Sequence, residues 1–122
     1  MHDLSLNEQK LGYRFVDGRP IYRKTYSIGG LPNATVKNIP HGLPTCTFIH
    51  IDPLHSFAHG KNSGMTIPMN FPSTVALNMN VMCYVDSTNI VLNDGYDRTS
   101  YNECYVTLIY AKLGDTSSTP VI

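Results

Sequence analysis

The sequence predicts an all-β domain, an antiparallel β-sandwich of jelly-roll type. Three observations predict it. Apolar and polar residues alternate with period two in several separate segments, the mark of strands with one buried face. Gly, Pro, Asn and Asp punctuate the chain between them at short intervals. No segment carries the 3.6-residue apolar periodicity of an amphipathic helix.

Taken in order, residues 1–12 form a polar lead-in, with a short helical turn through Asn7–Lys10 that Gly12 stops. Tyr13 to Thr25 is a hairpin. Asp17-Gly18 sits between two β-rich arms, and a two-residue turn that matches strand twist needs positive φ, which Gly accepts and Asp tolerates. In its second arm Ile21, Arg23 and Thr25 share one face, and Tyr22, Lys24 and Tyr26 the other. Ile28–Asn33 reads as a loop, Ala34–Ile39 as a strand, and Pro40–Pro44 as a break. Thr45–Asp52 is the next strand. Pro53–Pro72 reads as a long, largely irregular excursion with one short strand at Met65–Ile67.

Val75–Val85 then alternates cleanly, with Val75, Leu77, Met79, Val81, Cys83 and Val85 on one face. Ile90–Leu92 is a short strand between turns at Asp86–Asn89 and Asn93–Gly95, and Asp97–Asn102 is a polar loop. Glu103–Lys112 is a central strand, placing Cys104, Val106, Leu108 and Tyr110 inward. The domain division is a lead-in at 1–12, a sandwich at 13–113 and a loose Ser/Thr-rich tail at 114–122.

The hairpin run Phe15-Val-Asp-Gly-Arg-Pro-Ile-Tyr-Arg-Lys-Thr25 resembles the Trp-x-Asp-Gly-Lys-Pro-Ile-Tyr-Arg-Lys-Thr motif of bacteriophage virion proteins described as tail-fibre or head-fibre C-terminal domains. Phe15 stands where that family commonly has Trp, and Arg19 where it has Lys. Leu6–Gly12 is similar to the family's lead-in, and Leu31–Gly42 to its Pro-Asn-x-Thr…His-Gly segment. Asp97–Tyr101 and Tyr105–Lys112 resemble its last turn and strand; residues 45–82 match nothing in it. The resemblance implies a virion structural protein on the phage particle surface, assembled in the bacterial cytoplasm. Fibre symmetry, with the low charge content, implies a homotrimer, since head-to-tail packing about a threefold axis closes a ring.

Tyr13, Phe15, Ile21, Tyr22 and Arg23 are the candidates for the subunit seam. For receptor contact the candidates are His55, His59, Lys61 and Asn62 in the excursion, with Tyr96 and Tyr101. Tyrosine supplies a flat apolar ring with a hydrogen-bonding tip, suited to sugars and proteins alike. The expected partners are a fibre shaft, tail or capsid protein, and a host cell-surface glycan. Two other readings stay open: a head fibre or capsid-decoration protein, and a carbohydrate-binding module outside any phage.

Composition narrows the classes. Nine basic and nine acidic residues cancel, so the basic footprint of a nucleic-acid binder is missing. No apolar run approaches the roughly 18 residues of a membrane span, and the first residues lack the layout of a signal peptide. Cys46, Cys83 and Cys104 are odd in number and without Cys-x-x-Cys spacing, which reads as reduced, partly buried thiols.

Catalytic and metal chemistry finds little support. His55 and His59 are spaced for one helical face, near His50 and Asp52, but Pro53 and Gly60 flank them and no Glu accompanies them as general base. Asp94 and Asp97 are the one carboxylate pair placed to face one another, although turn chemistry explains both. The expectation is a binding protein, not an enzyme, with no metal and no cofactor.

Overall fold

A computed structural model describes residues 5–43, 46–69 and 81–112; for residues 46–49 only the backbone is described. The described residues form nine strands, all pairs antiparallel, and no α-helix. They are β1 (Gln9–Arg14), β2 (Pro20–Gly29), β3 (Val36–Pro40), β4 (Cys46–Ile51), β5 (Phe57–His59), β6 (Thr66–Pro68), β7 (Val81–Val85), β8 (Asn89–Asp94) and β9 (Glu103–Lys112). Two sheets pack together: a six-stranded one in the order β1-β2-β9-β5-β6, with β4 also on β9, and a three-stranded one in the order β3-β8-β7. The fold is a β-sandwich.

β9 is the axis of the large sheet. One edge pairs with β2 from Tyr22↔Tyr110 to Gly29↔Cys104. The other edge carries β4 at its C-terminal half and β5 at its start. Its inward row is Cys104, Val106, Leu108 and Tyr110, each at most 1% exposed. They meet Ile90 and Leu92 of β8 and Val81 and Cys83 of β7 in one core cluster. Burying a side chain of this size contributes roughly 1.5–3 kcal/mol. The core between the sheets is therefore the main source of stability.

Where β4 leaves β9 and β5 joins it, the chain makes a short 3-10 turn at Pro53–His55. Thr107 closes this gap. Its N–H donates to Ser56 Oγ (3.0 Å), its hydroxyl donates to the His55 carbonyl (2.7 Å), and its carbonyl accepts from Asp52 N–H (2.9 Å). The same hydroxyl accepts from Thr25 of β2 (2.9 Å). One buried threonine thus ties two strands and a turn together.

Three local expectations change. The hairpin loop has three residues, Val16-Asp17-Gly18, not two: Gly18 N–H donates to the Phe15 carbonyl and Phe15 N–H to that of Arg19, both 2.9 Å. Only Gly18 takes positive φ (86°) there, so this is a turn closed by a left-handed glycine. Asp17 instead accepts from Arg19 N–H (3.1 Å) and Nε (2.7 Å), while Arg19 Nη1 reaches the Lys112 carbonyl (2.9 Å).

The lead-in is not helical. Ser5 accepts from Thr25 N–H (3.0 Å), and Glu8 accepts from the Tyr110 hydroxyl (2.6 Å) and Lys112 (2.7 Å), which draws the segment onto the open edge of β2 as β1. Residues 9–12 consequently pair into the sheet as part of β1. Third, the excursion after Pro53 contains a hairpin, β5 with β6, because Ala58 and Ile67 pair and bury against the core. The expected alternation at Val75–Asn80 lies outside the described residues, as does the tail at 114–122.

Candidate functional site

Three loops meet at one end of the sandwich: residues 29–35, 60–65 and 95–102. Backbone groups lace the first to the third. Leu31 N–H donates to Tyr101 O (3.0 Å), Ala34 N–H to Tyr96 O (3.1 Å) and Arg98 N–H to Pro32 O (3.3 Å), and Asn33 and Asp97 form an isolated bridge. The β5–β6 turn joins them through Lys61 N–H, which donates to Asn102 Oδ1 (3.0 Å). A side chain on Gly60 would meet Ser63 Oγ at 2.4 Å and the Ser100 carbonyl at 3.1 Å, so the turn lies close on the 95–102 loop.

The ends of the strands fix this arrangement. Lys37 of β3 turns its ammonium to the carbonyls of Ile28 and Gly30, 2.8 Å each, which caps the last residues of β2. At the opposite end of the sandwich, His41 ties the β3 exit to the β7–β8 turn. Its Nε2 donates to the Asp86 carbonyl (2.9 Å) and its Nδ1 accepts from Leu43 N–H (2.9 Å), while Tyr26 donates to its carbonyl (2.6 Å). Gly42 follows at φ 71°, which gives the His-Gly pair a physical reason.

The receptor candidates divide at this point. Lys61 and Asn62 are exposed on the β5–β6 turn and Tyr96 is exposed on the neighbouring loop, so the fold brings these three to one end. Tyr101 is in the core cluster, with Arg98 over its ring. Arg98 lies between two tyrosine rings, 5.7 Å from the centre of Tyr96 and 5.8 Å from that of Tyr101. His59 is on β5, with Nδ1 at 2.7 Å from Thr66 Oγ1 and Nε2 at 3.9 Å from Glu103. His55 belongs to a different site: its Nδ1 meets Asp52 Oδ2 at 2.6 Å in the 3-10 turn.

The helical His55/His59 face does not form, because Phe57–His59 is strand and strand geometry separates the two rings. Asp52 spends its other carboxylate oxygen on Leu54 N–H (3.1 Å). No group of three or more His, Cys, Asp or Glu side chains is placed to hold a metal among the described residues. Asp94 and Asp97 do not face one another. Asp97 is exposed and caps Thr99 through its N–H (3.0 Å) and hydroxyl (2.7 Å), whose bonds hold the carboxyl below the usual range. Asp94 continues the inward row of Ile90 and Leu92 and is 2% exposed. Burial pushes its carboxyl up to about 6, against the opposing pull of Arg98.

Beside this end, on the outer face of the large sheet, lies a concavity of about 360 Å³ lined by Ser5, Leu6, Thr25, Phe57 and Tyr105. Phe57 and Tyr105 are a cross-strand pair with ring centres 5.5 Å apart and planes tilted by 47°. The pair His59↔Glu103 lies next along the same face, so this strip runs from the loop end into the concavity. The sequence reading missed Phe57 because three residues are too few to show alternation.

The seam candidates are split as well. Tyr13 is 58% exposed, and Val16, at the hairpin tip, is 84% exposed. Phe15 is half-buried. Tyr22 stacks on Tyr110 (5.9 Å between centres) under Lys112, and Arg23 Nε donates to Gln9 Oε1 (3.3 Å). Ile21 is buried within the subunit at 5% exposure, so its side chain is not on offer to a neighbour. Cys83 and Cys104 are buried, the Cys83 thiol pushed up to about 12 chiefly by burial, as expected of inert core thiols.

No protein-family model, curated protein or solved structure matches the chain.

Proposed function

We propose that this chain is a virion-surface attachment module of the bacteriophage fibre type, a trimeric β-sandwich that engages a host-cell glycan. The observation that carries the reading is the laced loop end. It holds Lys61, Asn62 and Tyr96 exposed on a scaffold stiffened by backbone hydrogen bonds, which lowers the ordering cost of binding. Binding residues placed on loops over a rigid sheet are a common arrangement for recognition. The sequence likeness of the hairpin supplies the phage setting, and exposed Tyr13 and Val16 supply apolar surface for a neighbouring subunit.

A carbohydrate-binding module outside any phage is the second reading, favoured by the Phe57–Tyr105 cleft. Among the described residues its lining has no charged side chain, which suits a neutral sugar ring stacked on an aromatic face. Light scattering on the purified chain separates the two. The fibre reading expects about 41 kDa, three times the 13.6 kDa chain, falling to the monomer mass on Tyr13→Ala with Val16→Ser. A monomer that binds glycans favours the second reading. If the chain comes from a phage, binding to purified capsids rather than tails moves the mounting point to the head.

A further inference from the structure

Among the described residues, Asp94 carries two carboxylate oxygens that are both buried and without a hydrogen-bond partner. Such a group costs several kcal/mol when charged, so the fold holds it best as the neutral acid. It lies at the C-terminal end of β8, immediately before the 95–102 loop, opposite Val81 in the ladder. The loop's own cation, Arg98, sits close enough to act on its titration, yet rests between the Tyr96 and Tyr101 rings.

We propose that the proton on Asp94 sets the position of the 95–102 loop through Arg98, making the loop end a pH-sensitive latch. With Asp94 neutral, the guanidinium keeps its seat between the tyrosines. With Asp94 ionised, the buried carboxylate draws the guanidinium inward, because opposite charges in a low-dielectric interior attract far more strongly than in water. Tyr101 is anchored in the core, whereas Tyr96 is exposed, so the change falls on Tyr96.

Among the described residues, the other titratable groups near Asp94 leave this role to Arg98. Cys83, from β7, and Cys104, from β9, have thiols raised by burial and stay neutral across pH 5 to 8. Lys37, from β3, is committed to the Ile28 and Gly30 carbonyls. Coupling of this kind is a local charge event with a readout in the neighbouring loop.

The sense of the latch as regulation rests on the loop-end reading above; the latch itself does not. It is tested on the isolated full chain by following the Asp94 carboxyl carbon and the Tyr96 ring by NMR from pH 4 to 8, with amide exchange of residues 95–102. The expected result is one shared midpoint. Loop exchange, corrected for its intrinsic pH dependence, then speeds about tenfold from acid to neutral pH, the factor for one pK unit of coupling. Asp94→Asn should freeze Tyr96 and the loop in the acid-form state. Arg98→Gln should raise the Asp94 midpoint and uncouple Tyr96 from it. A Tyr96 signal that ignores the titration of Asp94, or a step that survives in Asp94→Asn, overturns the latch. A working latch in a chain that binds no glycan sinks only the attachment reading.

Discussion

Replacing Thr107 with valine tests the junction on which the large sheet depends. The substitution keeps shape and removes one hydroxyl. That hydroxyl donates to the His55 carbonyl and accepts from the Thr25 hydroxyl, and both threonines are buried. Two buried polar groups are left without a partner, at about 1–3 kcal/mol each. The predicted loss is therefore about 2–6 kcal/mol in urea unfolding, a large share of the stability of a domain this size. Thr25→Val removes only one of the two bonds and should cost about 1–2 kcal/mol. In the double mutant the Thr25 hydroxyl is gone, so nothing remains there to be orphaned. The double mutant should then be more stable than the sum of the singles by about 1 kcal/mol. Singles within about 0.5 kcal/mol of wild type, or strict additivity, would refute the view that Thr107 joins β2, β9 and the 3-10 turn.

Asp94 gives a pH signature in stability. Its carboxyl is raised from 3.8 to about 6 in the fold, so the folded chain holds a proton that the unfolded chain releases. Its contribution is full below about pH 4 and declines as pH rises through 6, a loss of about 2–3 kcal/mol by pH 8 that Asp94→Asn should abolish in denaturation profiles. His41→Ala should cost about 2–4 kcal/mol by thermal unfolding, since it leaves the Asp86 carbonyl and Leu43 N–H without their ring partners. Gly18→Ala forces a side chain to φ 86° and should destabilise by about 1–2 kcal/mol in the same assay, with no change at the loop end.

The long strands were readable because their alternation is long. Glu103–Lys112 shows period two over ten residues, and the structure keeps both its limits and its inward row. The second hairpin arm was equally readable, and Tyr22, Lys24 and Tyr26 do lie across from Tyr110, Leu108 and Val106. Short elements left no such signal. Phe57–His59 is three residues, too short for a period, and its existence depends on the tertiary edge that β9 offers. The lead-in failed for a related reason: Glu8 and Gln9 have ordinary helix propensity, and the open edge of β2 outweighs it.

The site was legible in part. Lys61, Asn62 and Tyr96 fall in sequence loops, but only the fold makes them neighbours. Asp94 reads in sequence as a turn residue of Asn-Asp-Gly, and nothing in that pattern tells that its carboxyl points inward with Leu92. His41 looked like loop punctuation, because a buried histidine bonded to two backbone groups has the same sequence as an exposed one.

The most direct test of the account is a glycan-array comparison of the wild-type chain with a variant carrying Lys61→Ala, Asn62→Ala and Tyr96→Ala. The loop-end account predicts that the wild type binds a defined set of glycans without altering them, and that the folded triple variant loses this binding. Undiminished binding by the triple variant, or cleavage of the bound glycan, would contradict it.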